Sequence, residues 1–422
     1  MTVPEVHVRP YWELMFDAGG DPEPGRRDRL LRGVGERGVR DLVVLAHGWN
    51  NDRPMATRLY DRFFAPFPTL VPGARLGYVG VQWPSMRFAD EPIPDFDPSL
   101  TAAAAAPRTT LDESTRRALV ATFPGSGPVV EQLARLLDRQ PDGADAFDRF
   151  GGLVRQLAGI HPTACGADTE EDGSPHAVPA MLQENTQAVC LGFADALEAT
   201  AGAAFALPGG FARAWQGAHE LLRQATYFAM KKRAGTVGKK GLGPLLGRLA
   251  QDTPGVRVHL VGHSFGARLV SFALAGLGAA DRNVKSVTLL QGAFSHYAFA
   301  SRGALKGQHA RIDGPLVACY SHLDTALSTM YPLASRLAGD DRGLLDLGAR
   351  WGAMGYDGVQ DLPGAARLTL ADALRTGVPG AGCVSVDAAQ VVRRGSPPAG
   401  AHSDICHEEL ARVILAAGRV RA

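Results

Sequence analysis

Apolar positions along this chain alternate between short, unbroken β-rich runs and longer stretches with helical spacing. Leu42–Ala46 (LVVLA) is one such run, ending at the turn-prone His-Gly-Trp-Asn-Asn-Asp of residues 47–52. It predicts a buried parallel strand whose C-terminal end opens into a loop. A helix is expected next, because Asp52 can cap it, Pro54 suits a first turn, and Ala56, Leu59, Tyr60 and Phe63 recur at helical spacing before Pro66. Tyr78–Trp83 reads as a second strand, closed by Pro84. From there to about residue 208, an alanine run and Gly/Pro breaks separate amphipathic pieces such as Val129–Leu137, with little strand signal. A helical insertion over 87–208 is therefore expected, placed between core segments 1–86 and 209–422 and able to act as a cap.

Alternation then resumes with a helix near 211–233, a strand at Val256–Val261 and a helix through Leu277. Strands are expected at 284–290 and 315–320, then a long, mostly helical stretch, a strand at 383–386, a loop holding His402 and a final helix near 405–417. Val6–Phe16 is a candidate edge strand. This order predicts an α/β class fold built on a mainly parallel, doubly wound sheet.

With 422 residues, 45% of them hydrophobic, the chain can bury a large core. Its 44 basic and 43 acidic side chains nearly cancel, so no overall field favours nucleic acid or an anionic membrane. Five cysteines without a C-x-x-C pair suggest neither a disulfide framework nor a zinc site, and a reducing compartment fits them. Glu5, Glu13 and Asp17 interrupt any signal-like apolar core at the N-terminus, and Asp195, Glu198 and Pro208 break the most apolar stretch. The expectation is a cytoplasmic protein with no transmembrane segment.

The strongest chemical signal is VRVHLVGHSFGARLVSFAL, residues 256–274, which combines a strand, a G-x-S-x-G pattern and a helix in that order. A serine hydroxyl is a poor nucleophile, and a strained turn at a strand's C-terminal end exposes it to a base and to the amides of a helix N-terminus. Ser264 is the candidate nucleophile, with Gly262 and Gly266 leaving room for the turn and His263 a neighbour. The plainer alternative is a Gly-rich helix start capped by serine.

With these residues the chain resembles the α/β-hydrolase superfamily, in its lipase/esterase-like branch with an HGW-type oxyanion loop. The resemblance covers roughly 40–86 and 209–422 and leaves out 87–208. It implies an oxyanion hole formed by the backbone N–H groups of Trp49 and Phe265, to which the Asn50 side chain could add a donor. It also implies the chain order Ser, acid, His. Asp324, just beyond the 315–320 strand, stands where the family's acid usually stands, with Asp387 its rival; the loop after the preceding strand, Gln291-Gly292-Ala293-Phe294, has no carboxylate. Two histidines follow the last strand. His402 lies on the Gly/Pro-rich loop GSPPAGAH, ahead of a helix that Ser403 or Asp404 can cap, whereas His407 falls in that helix's first turn with the spacing of a structural residue. His-Ser-Asp before a final helix also looks like the family's histidine loop, which favours His402 as the base.

Weaker patterns add little. GTVGKKG at 235–241 lacks the spacing and Ser/Thr of a P-loop, and His402, Cys406 and His407 have no second cluster to complete a metal site. The expected activity is cofactor-free hydrolysis of a small-molecule or lipid-like carboxylic ester through Ser264, His402 and Asp324. Amide or thioester cleavage, acyl transfer to an alcohol, and a non-catalytic interaction protein on the same fold are the alternatives.

Overall fold

The computed structural model describes residues 4–49, 51–86, 88, 110–158, 185–201, 210–330, 352–395 and 399–421. Short helical turns aside, the elements run β1 (Tyr11–Met15), α1 (Pro24–Glu36), β2 (Asp41–Ala46), α2 (Arg53–Phe64), β3 (Leu76–Gln82), α3 (Glu113–Thr122), α4 (Gly127–Arg139), α5 (Ala144–Leu157) and α6 (Thr186–Ala201). They continue through α7 (Phe211–Thr236), α8 (Gly243–Asp252), β4 (Arg257–His263), α9 (Phe265–Ala275), β5 (Val284–Leu290), β6 (Pro315–Tyr320), β7 (Ala366–Thr369), α10 (Leu370–Thr376), β8 (Gly382–Asp387) and α11 (Glu408–Ala417).

The eight strands form one sheet in the order β1-β3-β2-β4-β5-β6-β8-β7, every pair parallel. A parallel sheet must be covered on both faces, which explains why β2 is buried at all six positions and β3 at all seven. One face packs against α1, α7, α8 and α9 through residues such as Val34, Met230, Leu246 and Leu269. The other packs against α2, α10 and α11 through Tyr60, Leu370 and Ile414. Each such aliphatic side chain contributes about 1.5–3 kcal/mol on full burial. The chain winds outward from β2 through β3, then returns across to β4. The strand order therefore reverses between β2 and β4, where an open α/β sheet forms a crevice at the strands' C-terminal ends.

Local chemistry accounts for most element boundaries. Asp52 accepts from Met55 N at 2.9 Å and starts α2, as the sequence predicts. The edge strand is confined to Tyr11–Met15, shorter than the expected Val6–Phe16, because it begins after Pro10, which has no N–H for a ladder. α1, β7 and α10 are additional elements; β7 has only four residues, half of them exposed, and so carries little apolar periodicity. α11 starts at Glu408, later than expected, with His407 extended at the N-cap position.

The GTVGKKG segment is a helix-packing surface. α7 runs on through a π-helical stretch, Val237–Leu242, into α8. A Cβ at Gly238 would stand 2.1 Å from the Leu269 carbonyl oxygen, and one at Gly276 would stand 2.1 Å from that of Lys239. The glycines thus permit backbone-to-backbone contact with α9.

In the region of the expected insertion, α3–α6 gather around α7 in a third apolar cluster that includes Phe147, Phe150 and Trp215. Phe147 stacks on Trp215 with centroids 4.4 Å apart. Trp49, Phe123 and Phe228 pack against both this cluster and the one under the sheet. Among the described residues, no helix is long and apolar enough to cross a membrane.

At the N-terminal ends of the strands, His259 Nδ1 lies 2.9 Å from Ser286 Oγ and its Nε2 lies 3.0 Å from Asp41 Oδ1. Arg257 Nε donates to the same Asp41 oxygen at 2.8 Å. This Ser-His-Asp array is buried at all three positions and ties β2, β4 and β5 together. His259→Ala should lower unfolding free energy by about 2–4 kcal/mol, since it opens a cavity and strips a buried carboxylate and hydroxyl of a partner. Urea denaturation of the two proteins at pH 7.5 measures this, and equal midpoints would mean the array adds nothing.

Candidate active site

Four loops meet at the C-terminal edge of the sheet because their strands are in register there: Ala46 pairs with Gly262, His263 with Leu290, and Tyr320 with Asp387. β4 ends at His263 and α9 begins at Phe265, so Ser264 alone makes the turn. Its backbone has φ 54° and ψ −118°, a conformation rarely adopted by a side-chain-bearing residue. Backbone bonds brace it on both sides, from Ser264 N to Leu290 O at 3.0 Å and from Ala293 N to Ser264 O at 3.3 Å.

Three glycines make this turn possible. A Cβ at Gly262 would be 2.3 Å from Gly266 O, and one at Gly266 would be 2.0 Å from Ala46 O. At Gly48 it would be 2.8 Å from Ser264 Cβ and 3.3 Å from Ser264 Oγ, so the loop after β2 lies directly against the serine.

His402 Nε2 is 2.9 Å from Ser264 Oγ and its Nδ1 is 2.7 Å from Asp324 Oδ2. The carboxylate fixes the Nδ1–H tautomer, leaving an Nε2 lone pair to accept from the hydroxyl. Ser264 and Asp324 are buried, while His402 keeps 15% of its side chain exposed. Burial pushes the Asp324 carboxyl above its usual range, opposed by the charge of and bond to His402 and by the amides of Leu327 and Ala326. Asp324 Oδ1 accepts from Leu327 N at 3.1 Å, so it both caps the turn at Ala326–Met330 and holds the imidazole. Asp387, the rival acid, instead accepts from Ala389 N at 3.0 Å.

His407 is not packed as an apolar-face residue of α11. Its Nε2 is 2.8 Å from Asp404 Oδ1, while Asp404 Oδ2 accepts from the amides of Arg393 and Arg394, both at 2.9 Å. Asp404 therefore spends its carboxylate on closing the histidine loop, which is why it does not cap the helix. Sequence reasoning missed this clasp; the i, i+3 spacing of Asp404 and His407 was its one local signal.

Around the serine, Phe265 is the first residue of α9, where helix N–H groups have no intrahelical acceptor. Trp49 N has no backbone acceptor among the described residues. The Trp49 loop is held by Asn51 Nδ2, which donates to Gly48 O at 3.3 Å and Trp49 O at 3.2 Å; Asn50 lies outside the described residues. The Trp49 ring meets Phe88, Tyr227 and Phe265 with centroids 6.1, 5.7 and 6.3 Å away, an aromatic wall beside the serine.

Two further histidines flank the array. His263 Nε2 bonds to His402 O at 2.8 Å, and His47 Nδ1 bonds to Gly48 O at 2.7 Å. Burial depresses His47 to about 4 and His263 to about 3, so both are neutral donors to those carbonyls. Burial likewise pushes the Cys319 and Cys383 thiols up to about 12, which makes them poor nucleophiles. Among the described residues, no group of three or more His, Cys, Asp or Glu side chains is arranged to hold a metal ion. Chemically, the arrangement can deprotonate Ser264 and place amides near an oxygen bound to the attacked carbon. Comparison with protein-family models, curated proteins and solved structures finds no match to the chain.

The buried histidines predict an acid-sensitive fold. A histidine depressed in the folded state binds its proton only on unfolding. Stability is therefore full above the unfolded value of about 6.5 and falls by about 1.4 kcal/mol per pH unit per histidine below it. For His47 and His263 that window extends down to about 4 and about 3. Denaturation free energies at pH 6 and pH 5 should therefore differ less in His263→Gln than in the wild type, by about 1.4 kcal/mol. An unchanged difference would show that His263 already carries a proton in the folded state.

Proposed function

We propose that this chain is a serine hydrolase of the α/β-hydrolase type that cleaves a carboxylic ester by acyl transfer to water. The observation that carries the reading is the hydrogen-bonded series Ser264–His402–Asp324 on a strained strand-to-helix turn. A buried structural array has no use for φ 54° at its serine, as the relaxed strand positions of Asp41, His259 and Ser286 illustrate.

In the proposed mechanism Ser264 Oγ attacks the ester carbonyl carbon while His402 Nε2 takes the hydroxyl proton. The C=O π pair moves to oxygen, and the amides of Trp49 and Phe265 stabilise the resulting oxyanion. Asp324 holds the imidazole tautomer and stabilises imidazolium without itself taking the proton. Collapse of the tetrahedral species expels the alkoxide, which leaves as alcohol after receiving the proton from His402. Water then repeats the sequence on the acyl-enzyme, releasing the carboxylic acid and restoring Ser264–OH. In this reading the 87–208 segment is a cap. Its support is the continuity of apolar packing from Trp215 and Phe150 through Phe88 to Trp49, an apolar wall suited to the hydrophobic part of an ester.

Two outcomes follow for p-nitrophenyl ester turnover and fluorophosphonate labelling. Ser264→Ala should abolish labelling and lower kcat by several orders of magnitude with the fold intact. An adduct mapped to another residue would overturn the assignment. Asp324→Asn should lower kcat by about 10⁴-fold by favouring the wrong imidazole tautomer, while Asp387→Asn should stay near wild type. The reverse pattern would move the acid to Asp387.

A further inference from the structure

Away from the serine, the outer edge of the sheet carries a hollow of about 370 Å³ between β1 and α1. Trp12 forms part of its lining and lies flat on Gly33: a Cβ at that glycine would be 2.7 Å from the indole Nε1. Its walls carry Arg26, Arg29, Arg32 and Arg37. The first three repeat every third residue along α1, about 4.5 Å of rise apart, so their guanidiniums share one face.

This row is only partly neutralised from within: Arg26 is paired with Glu13 and Glu23, and the Asp28 carboxylate feels the charge of Arg32. Glu13 is bonded to Arg26 and Arg53, whose charges and bonds hold its carboxyl below the usual range despite burial. Glu36 is the other carboxylate lining the hollow. Among the described residues, no carboxylate is within ion-pair distance of Arg29, Arg32 or Arg37. Like charges at i, i+3 on a helix repel, a cost that a bound anion would offset.

We propose that this hollow binds a compact small-molecule polyanion of the oligophosphate class. Guanidiniums are planar forks that bind phosphate oxygens in pairs, and a row one turn apart suits linked phosphate groups. The volume lies in the range of small-ligand sites, which favours a compact ligand over a nucleic-acid strand. β1 stands three strand spacings from β4, about 14 Å, so the site is separate from Ser264 and independent of its proposed activity.

The probe is inorganic pyrophosphate, titrated into the full chain by calorimetry at constant ionic strength and followed in parallel by Trp12-dependent fluorescence. Saturable one-site binding is expected. Arg29→Glu/Arg32→Glu should weaken it by about tenfold or more, since two charge-assisted bonds are lost. Arg282→Glu/Arg302→Glu, the same charge change elsewhere, should leave it unaltered, as should Ser264→Ala. The fluorescence response should vanish in Trp12→Phe. No saturable binding, or equal weakening by both charge-swapped pairs, overturns the proposal. A single-stranded oligonucleotide that binds more tightly than pyrophosphate and loses affinity in Arg29→Glu/Arg32→Glu overturns the small-ligand assignment.

Discussion

The close approach of the turn at Ser264 to the end of β2 constrains everything around the candidate site. With Gly266 held so near the Ala46 carbonyl and Gly48 against Ser264, the loop after β2 and the start of α9 can occupy the same crevice. The strand order reverses at this boundary, so the two loops diverge to opposite sides and leave space above the serine. A methyl group at Gly48, Gly262 or Gly266 would force the backbones apart and separate the serine from the amides beside it. The strain at Ser264 persists because bonds to Leu290 and from Ala293 over-determine its position.

The chain contains two Ser-His-Asp arrays, and their differences show what residue identity alone leaves undecided. In the lower one, His259 points Nδ1 to the serine and Nε2 to the carboxylate, and all three residues sit on relaxed strands under full burial. In the upper one the ring is reversed, the serine occupies a left-handed turn, and the histidine stays partly exposed. Hydrogen-bonding capacity is the same in both. Access, strain and the proximity of unbonded helix amides distinguish the pair that could act on a substrate from the pair that joins strands.

The histidine loop is held by neutral donors. His263 bonds to the backbone of His402, and Asp404 closes the loop through two arginine amides and His407. A charged His263 would repel the imidazolium that the proposed acyl transfer would create at His402, a ring centroid only 5.1 Å away. Burial, which depresses His263, therefore also protects the proton-accepting role proposed for His402.

The sequence by itself determined the parallel α/β class, because uninterrupted apolar runs such as 42–46 and 256–261 can be satisfied only by strands covered on both faces. It also determined the turn at Ser264, since strand, glycine spacing and helix signals are contiguous there. Short or half-exposed elements such as β7 carried too little periodicity to be read. Only the tertiary structure decided that Asp324 rather than Asp387 meets His402, that His407 serves Asp404, and that Gly235 and Gly238 of GTVGKKG face α9. These depend on which loops converge once the strands are in register, and Asp324 and His402 are 78 residues apart in the chain. The basic face of α1 was likewise written in its residues, but the hollow beneath it exists only because β1 pairs outside β3 and lays Trp12 on Gly33.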